Sequence, residues 1–403
     1  MKKRTVLTGI ISLLLVFGMV LVACDTGTNG GGGDEIPLGS PKSQLYSVSG
    51  VTETLENAGA TLEDNLNWLD DYAVANGDYI IKVSASGSMD DIELMSWSLA
   101  NNVDITLTTV GAAEVIIGLK SNGRLFTVGD WEGGDNITLT LDGSITLRGK
   151  SSNVCELVRV NKDAELVLTG NAKITGNNSG GGVQAEDGGK ITMSGGKISG
   201  NNGGGVKVED NATFTMNNGT ISGNTSVWGG GGVCVRDSGT IFTMNGGTIS
   251  GNKAERGGGV GVERGAFALS IGTISNNTAS QGGGVGISGS GSSFTMTGGT
   301  ISGNTASNDY GFAGGGLYVF SKPGEVSTFN KTGGIIYGDT DNIHTPGSTE
   351  NTVVNGAFGG HAVWLYTLNG TDNQLRNADA GPSVNVSWDG TTPIGFDAST
   401  PWG

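Results

Sequence analysis

Residues 241–262 read Ile-Phe-Thr-Met-Asn-Gly-Gly-Thr-Ile-Ser-Gly-Asn-Lys-Ala-Glu-Arg-Gly-Gly-Gly-Val-Gly-Val. Three short apolar stretches stand in this segment: Phe242 with Met244, Ile249, and Val260 with Val262. Each alternates with small or polar residues, the period of a strand whose successive side chains point to opposite faces. No i, i+3, i+4 spacing occurs here, so helices are excluded from this region. Gly, Asn and Ser fill the intervals, and they accept the tight turns and positive φ that a chain needs to change direction.

The same phrase recurs on both sides. The Gly-Gly-Thr-Ile-Ser-Gly-Asn element occurs in versions at 172–178, 195–202, 218–225, 246–253, 271–278, 298–305 and 333–340, and a Gly-rich turn closes on Val183, Val206, Val233, Val260, Val285 and Leu317. A unit repeated every few tens of residues is one supersecondary element stacked on copies of itself. Three strands and three turns in about 25 residues make one rung of a parallel β-helix, each strand bonding to its counterpart about 4.8 Å away on the next coil. The general rule for crossovers makes it right-handed. Three inward columns are predicted: Val183 to Leu317 as above; Ile191, Phe214, Phe242, Phe267, Phe294, Phe329; and Ile174, Ile198, Ile221, Ile249, Ile274, Ile301, Ile336. The fold class expected is therefore all-β, a right-handed parallel β-helix of three-strand coils.

A polar column follows each isoleucine by three residues: Asn177, Asn201, Asn224, Asn252, Asn277 and Asn304, then Asp339. An amide both donates and accepts, so stacked copies can bond one to the next, and these residues are expected to form an internal asparagine ladder. Glycosylation of Asn-x-Thr triplets is the competing role. Weaker copies of the repeat lie upstream. Leu157–Val160 and Leu166–Leu168 fall into the coil ending at Ile174, and Ile137–Leu141 with Ile145–Leu147 form the one before. Val115–Ile117 with Leu125–Val128, and Val103–Leu107, are expected to be two earlier coils.

The two ends differ from the repeats. Met1-Lys2-Lys3-Arg4 and an apolar run to Ala23 form a secretion signal over 1–23, closed by Leu21-Val22-Ala23-Cys24. That closing sequence resembles the bacterial lipobox, which implies cleavage before Cys24 and acylation of that residue. Several acyl chains on one residue hold far more firmly than a single myristoyl chain. The competing role for the run is an uncleaved membrane span. Residues 24–43 are a Gly-rich tether, and 44–78 are an N-terminal cap in which Leu62, Leu66, Leu69 and Ala73 lie at helical spacing before the stop at Asn76-Gly77. Some such cover is needed, because a stack of coils leaves open strand edges at both ends. The β-helix is expected over 79–340 and a C-terminal cap over 341–403, where Trp364, Trp388, Trp402, Tyr366 and Phe396 cluster and 361–366 alternate as a last strand. Those aromatics could also stack on sugars.

The 403 residues carry 38 acids against 22 bases, three of which belong to the signal, so nucleic acid is not an expected partner. Cys155 and Cys234 lie about three coils apart, too far for a disulfide, and with no Cys-x-x-Cys and only His344 and His361, zinc is not expected. The candidate chemistry is an acidic column just beyond the valine strand: Glu186, Asp187, Glu209, Asp210, Asp237 and Glu263, with Arg236 and Arg264 among them. Carboxylates one and two coils apart match the separations of glycosidase pairs and could chelate calcium, while a solvated turn column compensated by arginine is the plainer reading.

The repeats resemble those of chlamydial polymorphic outer-membrane proteins, adhesins built on Gly-Gly-Ala-Ile and Phe-x-x-Asn. Gly-Gly-Gly-Val stands for the first; Phe214-Thr-Met-Asn217 and Phe242-Thr-Met-Asn245 match the second, and Phe294-Thr-Met-Thr297 departs from it. The resemblance covers about residues 150–340 and implies architecture more than activity. No segment resembles that family's membrane barrel, so lipid would hold this chain. Pectate lyases and polygalacturonases are the enzymes of similar fold. The polygalacturonase signatures Asn-Thr-Asp, Gly-His-Gly and Arg-Ile-Lys are absent, and Asp-Asp occurs only outside the repeats, at Asp70-Asp71 and Asp90-Asp91. Arg236 beside Asp237 is the nearest match to the Asp cluster and Arg of pectate lyases. The expectation is a monomeric, lipid-anchored, non-catalytic protein of the bacterial envelope, on the outer membrane or surface, without a cofactor, that binds a glycan or protein or serves as a structural component; a calcium-dependent polysaccharide lyase or glycosidase is the alternative.

Overall fold

The computed structural model describes residues 43–337 apart from 57, 85–88, 93–94, 97–102, 131–135, 308–313 and 323–324, together with the backbone of short strands at 352–354, 363–367, 373–375, 384–388 and 393–394. Strands stack coil on coil into three long walls, parallel throughout the repeats. In the phenylalanine wall, Thr213–Met216, Ile241–Met244 and Ala266–Leu269 pair with Phe214, Phe242 and Phe267 in register. In the isoleucine wall, Thr220–Ser222, Thr248–Ser250 and Thr273–Ser275 do the same through Ile221, Ile249 and Ile274. The valine wall runs through Val183–Ala185, Val206–Val208, Val233–Arg236, Val260–Glu263, Val285–Ser288 and Leu317–Ser321.

The inward side chains of all three walls are at most 4% exposed and form one continuous core. Identical residues at equivalent places explain the fit. Phe214, Phe242, Phe267 and Phe294 stack with ring centroids 4.7, 4.8 and 4.7 Å apart and planes within 7° of parallel, the strand spacing itself.

At the turn after the isoleucine wall the asparagines are buried and bonded in series. Asn201 Nδ2 donates to Asn224 Oδ1 at 3.1 Å, Asn224 to Asn252 at 3.0 Å, Asn252 to Asn277 at 3.0 Å and Asn277 to Asn304 at 2.9 Å. Each of those oxygens also accepts the backbone N–H of the preceding asparagine, for example Asn224 N to Asn252 Oδ1 at 2.9 Å. The second amide hydrogen reaches back to an isoleucine carbonyl, as from Asn252 to Ile221 O at 3.0 Å. Asn177 takes part through its backbone N–H onto Asn201 Oδ1, while its own amide nitrogen turns to Cys155 O and Gly181 O. Asn153, outside the repeat phrase, extends the row by donating to Asn177 Oδ1 at 2.9 Å. Asp339 lies outside the described residues.

Three features depart from the sequence reading. Val103–Thr109, Val115–Leu119 and Phe126–Val128 are consecutive walls of a single coil, not parts of two. The coil before it comes instead from Asp78–Val83, Met89–Ile92 and Met95–Ser96. The short turn at 110–114 hides this, since it resembles a break between repeats. A fourth short wall also appears where the turns lengthen, with Lys253–Arg256, Thr278–Gln281, Thr305–Ser307 and Thr352–Val354 pairing in parallel.

The first coil is closed by β1 (Ser43–Ser49), β2 (Thr52–Leu55) and α1 (Leu62–Tyr72), followed by β3 (Asp78–Val83). β1 runs antiparallel to β3 and to β2, so the edge of the phenylalanine wall ends in a hairpin. Thr61 caps α1 by a reciprocal box with Asp64, and the helix buries Leu62, Leu66 and Leu69 in the core. Asn65 ties it to β1 by donating to Ser43 Oγ at 2.6 Å. At the far end Val363–Thr367 continues the valine wall in parallel, and Asn373–Leu375 and Val384–Trp388 add antiparallel strands to the valine and phenylalanine walls. No helix among the described residues is long and apolar enough to cross a membrane; residues 1–23, expected to be a signal, and Cys24 lie outside them.

Candidate functional site

Beyond the valine strands, the backbone takes positive φ at Asp187, Asp210, Asp237 and Arg264, a left-handed corner that aspartate tolerates through its short polar side chain. Stacking these corners places the acids in two adjoining rows: Glu186, Glu209, Arg236, Glu263 and Asp187, Asp210, Asp237, Arg264. Arg236 faces Glu263 in register.

Most of the charge is taken up locally. Glu156, outside the predicted column, receives Arg124 and Arg159, each at 2.6 Å. Burial pushes its carboxyl up, but these hydrogen bonds outweigh burial and hold it below the usual range. Arg159 also lies 2.9 Å from Glu186. Gln184 donates to Glu186 at 2.9 Å and to Glu209 at 2.7 Å, and Lys207 pairs with Glu209 at 2.7 Å. Arg264 pairs with Asp237 at 2.6 Å.

Two acids remain strained. Burial raises the Glu186 carboxyl despite Arg159. Asp210 is exposed, yet the slight loss of water around its carboxyl, and then Asp237, Glu209 and Asp187 beside it, raise it. Carboxylate oxygens of Glu209, Asp210 and Asp237 lie within 4.8 Å of one another. A raised carboxyl binds its proton more tightly in the folded chain, so its contribution to stability is full below the ordinary aspartate range and is lost as pH rises through the folded value. Asp210→Asn is therefore expected to raise the urea midpoint at pH 7 and to leave it unchanged near pH 3. Equal effects at both pH values would dismiss the crowding of these acids.

A second feature lies on the outer face of the valine wall. The interval from ladder asparagine to valine is five residues at Asn201–Val206 but nine at Asn224–Val233 and eight at Asn252–Val260 and Asn277–Val285. The first lengthened turn carries Val227 and Trp228, 73% and 78% exposed. It is joined to the next by bridges from Thr225 to Lys253 and Gly229 to Arg256. Between these turns and the wall is a groove of about 500 Å³, within the usual range for ligand pockets.

Its floor is the outward column Cys234, Gly261, Gly286, where Lys207 precedes and the bulky Tyr318 follows. The glycines are required by close approach. A Cβ on Gly261 would stand 2.5 Å from Gly230 N, and one on Gly286 would stand 2.7 Å from Gly257 N. Gly261→Ala is expected to cost about 1–3 kcal/mol as overpacking against rigid backbone, read as a lower urea midpoint. No change would mean the turn simply lifts. Cys234 opens on this floor, yet burial of its thiol pushes the pKa up to about 11, which makes it a poor nucleophile. Cys155 is likewise unpaired.

The sequence reading placed Arg236 and Glu263 on this face but missed Trp228, Glu255 and Arg256. The signal was the jump in turn length, which the irregular Gly-rich spacing obscures. The aromatic residues 364, 366 and 388 lie in strands described by backbone alone, while Phe396, Trp402, His344 and His361 lie outside the described residues.

A stack of parallel coils with three in-register walls defines the class of protein. A family model described as "Right handed beta helix region" matches residues 156–379, more than half of the chain. The chain belongs to that family, and its coils are right-handed. No curated protein and no solved structure matches it.

Proposed function

We propose that this chain is a lipid-anchored protein of the bacterial cell envelope that presents its β-helix outside the cytoplasm as a non-catalytic binding surface. Cys24 would carry the acyl chains and join the membrane, residues 24–43 would hold the helix away from it, and the outer membrane or cell surface is the place most consistent with such a tether. The partner is a glycan or a protein, bound by a monomer.

The observation that carries this reading is the pairing along the acidic column. Glu156, Glu186, Glu209 and Asp237 each have a cationic neighbour within 2.9 Å. A cation beside a carboxylate favours its ionised form, the opposite of what a general acid at neutral pH needs. Incorporation of labelled palmitate into the wild-type chain and not into Cys24→Ala tests the anchor. Incubation with acidic and neutral polysaccharides plus calcium tests the rest, scored as reducing sugars and unsaturated uronates. New chain ends would refute the non-catalytic reading.

The calcium-dependent lyase is favoured by one observation, the convergence of Glu209, Asp210 and Asp237. Under that reading calcium raises the melting temperature of the wild type and not of Asp210→Asn. An identical calcium response in both chains removes it.

A further inference from the structure

The groove walled by Trp228 has properties that select among ligands. It spans the coils of Cys234, Gly261 and Gly286, two strand spacings or about 10 Å along the axis. Its charged groups are balanced: Arg236 and Arg256 against Glu255 and Glu263. A polyanion would meet no excess positive charge here, on a chain whose net charge is −16. A wholly apolar partner would take water from Arg236, Glu255, Arg256 and Glu263 without replacing its hydrogen bonds; Trp228 is the one exposed aromatic among the described residues that line the groove.

Arg236 is the informative residue. Its Nε is buried and makes no hydrogen bond, and the nearest carboxylate oxygen, on Glu263, is 3.4 Å away. A buried donor left in this state is costly, and because the side chain as a whole is 41% exposed, a rotation that turns the guanidinium toward an incoming acceptor would relieve it. Arg236 and Glu263 together offer donors and acceptors side by side, the complement of adjacent hydroxyls, each of which both donates and accepts. The indole face of Trp228 offers an apolar platform with a negative quadrupole, suited to the C–H face of a ring.

Resting on the binding reading above, we propose that this groove holds a short stretch of a neutral, hydroxyl-rich polysaccharide lying along the helix axis. One sugar ring stacks on Trp228, and the hydroxyls of the chain are read by Arg236 and Glu263.

The test uses the full-length chain in detergent, run by affinity electrophoresis through gels containing xylan, mannan or mixed-linkage glucan, and in parallel through pectate and alginate. Trp228→Ala, Trp228→Tyr and Arg236→Gln are compared with wild type, and each variant's melting temperature is recorded. Trp228 is exposed, so its variants are expected to melt with the wild type. The expected result is retardation of wild type by at least one neutral polymer. Trp228→Ala should weaken it at least ~10-fold, as for a central aromatic contact, Trp228→Tyr should restore part of it, and the acidic polymers should retard nothing.

Equal retardation of wild type and Trp228→Ala overturns the groove while leaving the binding reading in place. Retardation by acidic polymers alone overturns the neutral ligand, and retardation by none of the polymers overturns the proposal, a protein ligand then remaining for the binding reading. Cleavage of a polymer overturns the binding reading itself.

Discussion

Asn252→Ala is expected to cost the chain several kcal/mol of stability, more than an interior asparagine normally contributes. Asn252 Oδ1 accepts from the backbone and the amide of Asn224 at 2.9 and 3.0 Å, and its Nδ2 donates to Ile221 O and Asn277 Oδ1, both at 3.0 Å. Truncation removes all four bonds. It strands the Asn224 N–H and one Asn224 amide hydrogen, and takes the side-chain donor from the Ile221 carbonyl, in a place that water does not reach, since Asn224 is 0% and Asn252 1% exposed. Each orphaned group costs about 1–3 kcal/mol, so a loss on the order of 4 kcal/mol is expected even allowing for relaxation. Equilibrium urea unfolding measures it. A loss below about 1 kcal/mol would mean that water enters the row. Because a repeat protein's stability is approximately a sum over coils and the interfaces between neighbours, the variant is also expected to broaden or split the transition, with the coils before and after residue 252 unfolding apart.

Phe242→Ala is expected to cost about 3–5 kcal/mol, the range for removing a buried aromatic side chain. Phe242 is 0% exposed and lies between the rings of Phe214 at 4.7 Å and Phe267 at 4.8 Å. The walls cannot close over the gap, because each is fixed by the coils above and below, so the void should persist rather than collapse. Phe242→Leu retains most of the volume and is expected to cost less than half as much. Near-equal losses for the two variants would show that ring stacking, rather than filled volume, is the dominant contribution.

The walls were legible because every coil writes the same residue in the same place. Ile221, Ile249 and Ile274 each follow Thr and precede Ser, and each Asn stands three residues on. Only a stack makes such repetition physically necessary, as each side chain packs on its own copy. The N-terminal hairpin was not legible. Thr52–Leu55 is exposed along its whole length, so it carries no inward pattern, and its pairing depends on β1 meeting an edge that exists only after the first coil is built. Trp228 escaped notice for a related reason. It sits in a turn, where side chains are free of the strand period, and its importance comes from the later turns that line up beside it. The acidic rows were visible as residues, but their partners Arg124, Arg159 and Gln184 belong to other coils or to positions that look unremarkable in the chain.

The in-register stacking has a consequence for inheritance. Met244 and Leu269 occupy the same place on successive coils, so excising residues 245–269 would join two equivalent points and leave each wall, one strand shorter, otherwise in register. Loss of a single residue in the same stretch would turn the following strand's inward face to solvent. Recombination between a gene's own repeats adds or deletes whole coils, the change this architecture tolerates best. The number of coils, and with it the length of the exposed walls, can therefore vary between generations without a new fold being invented.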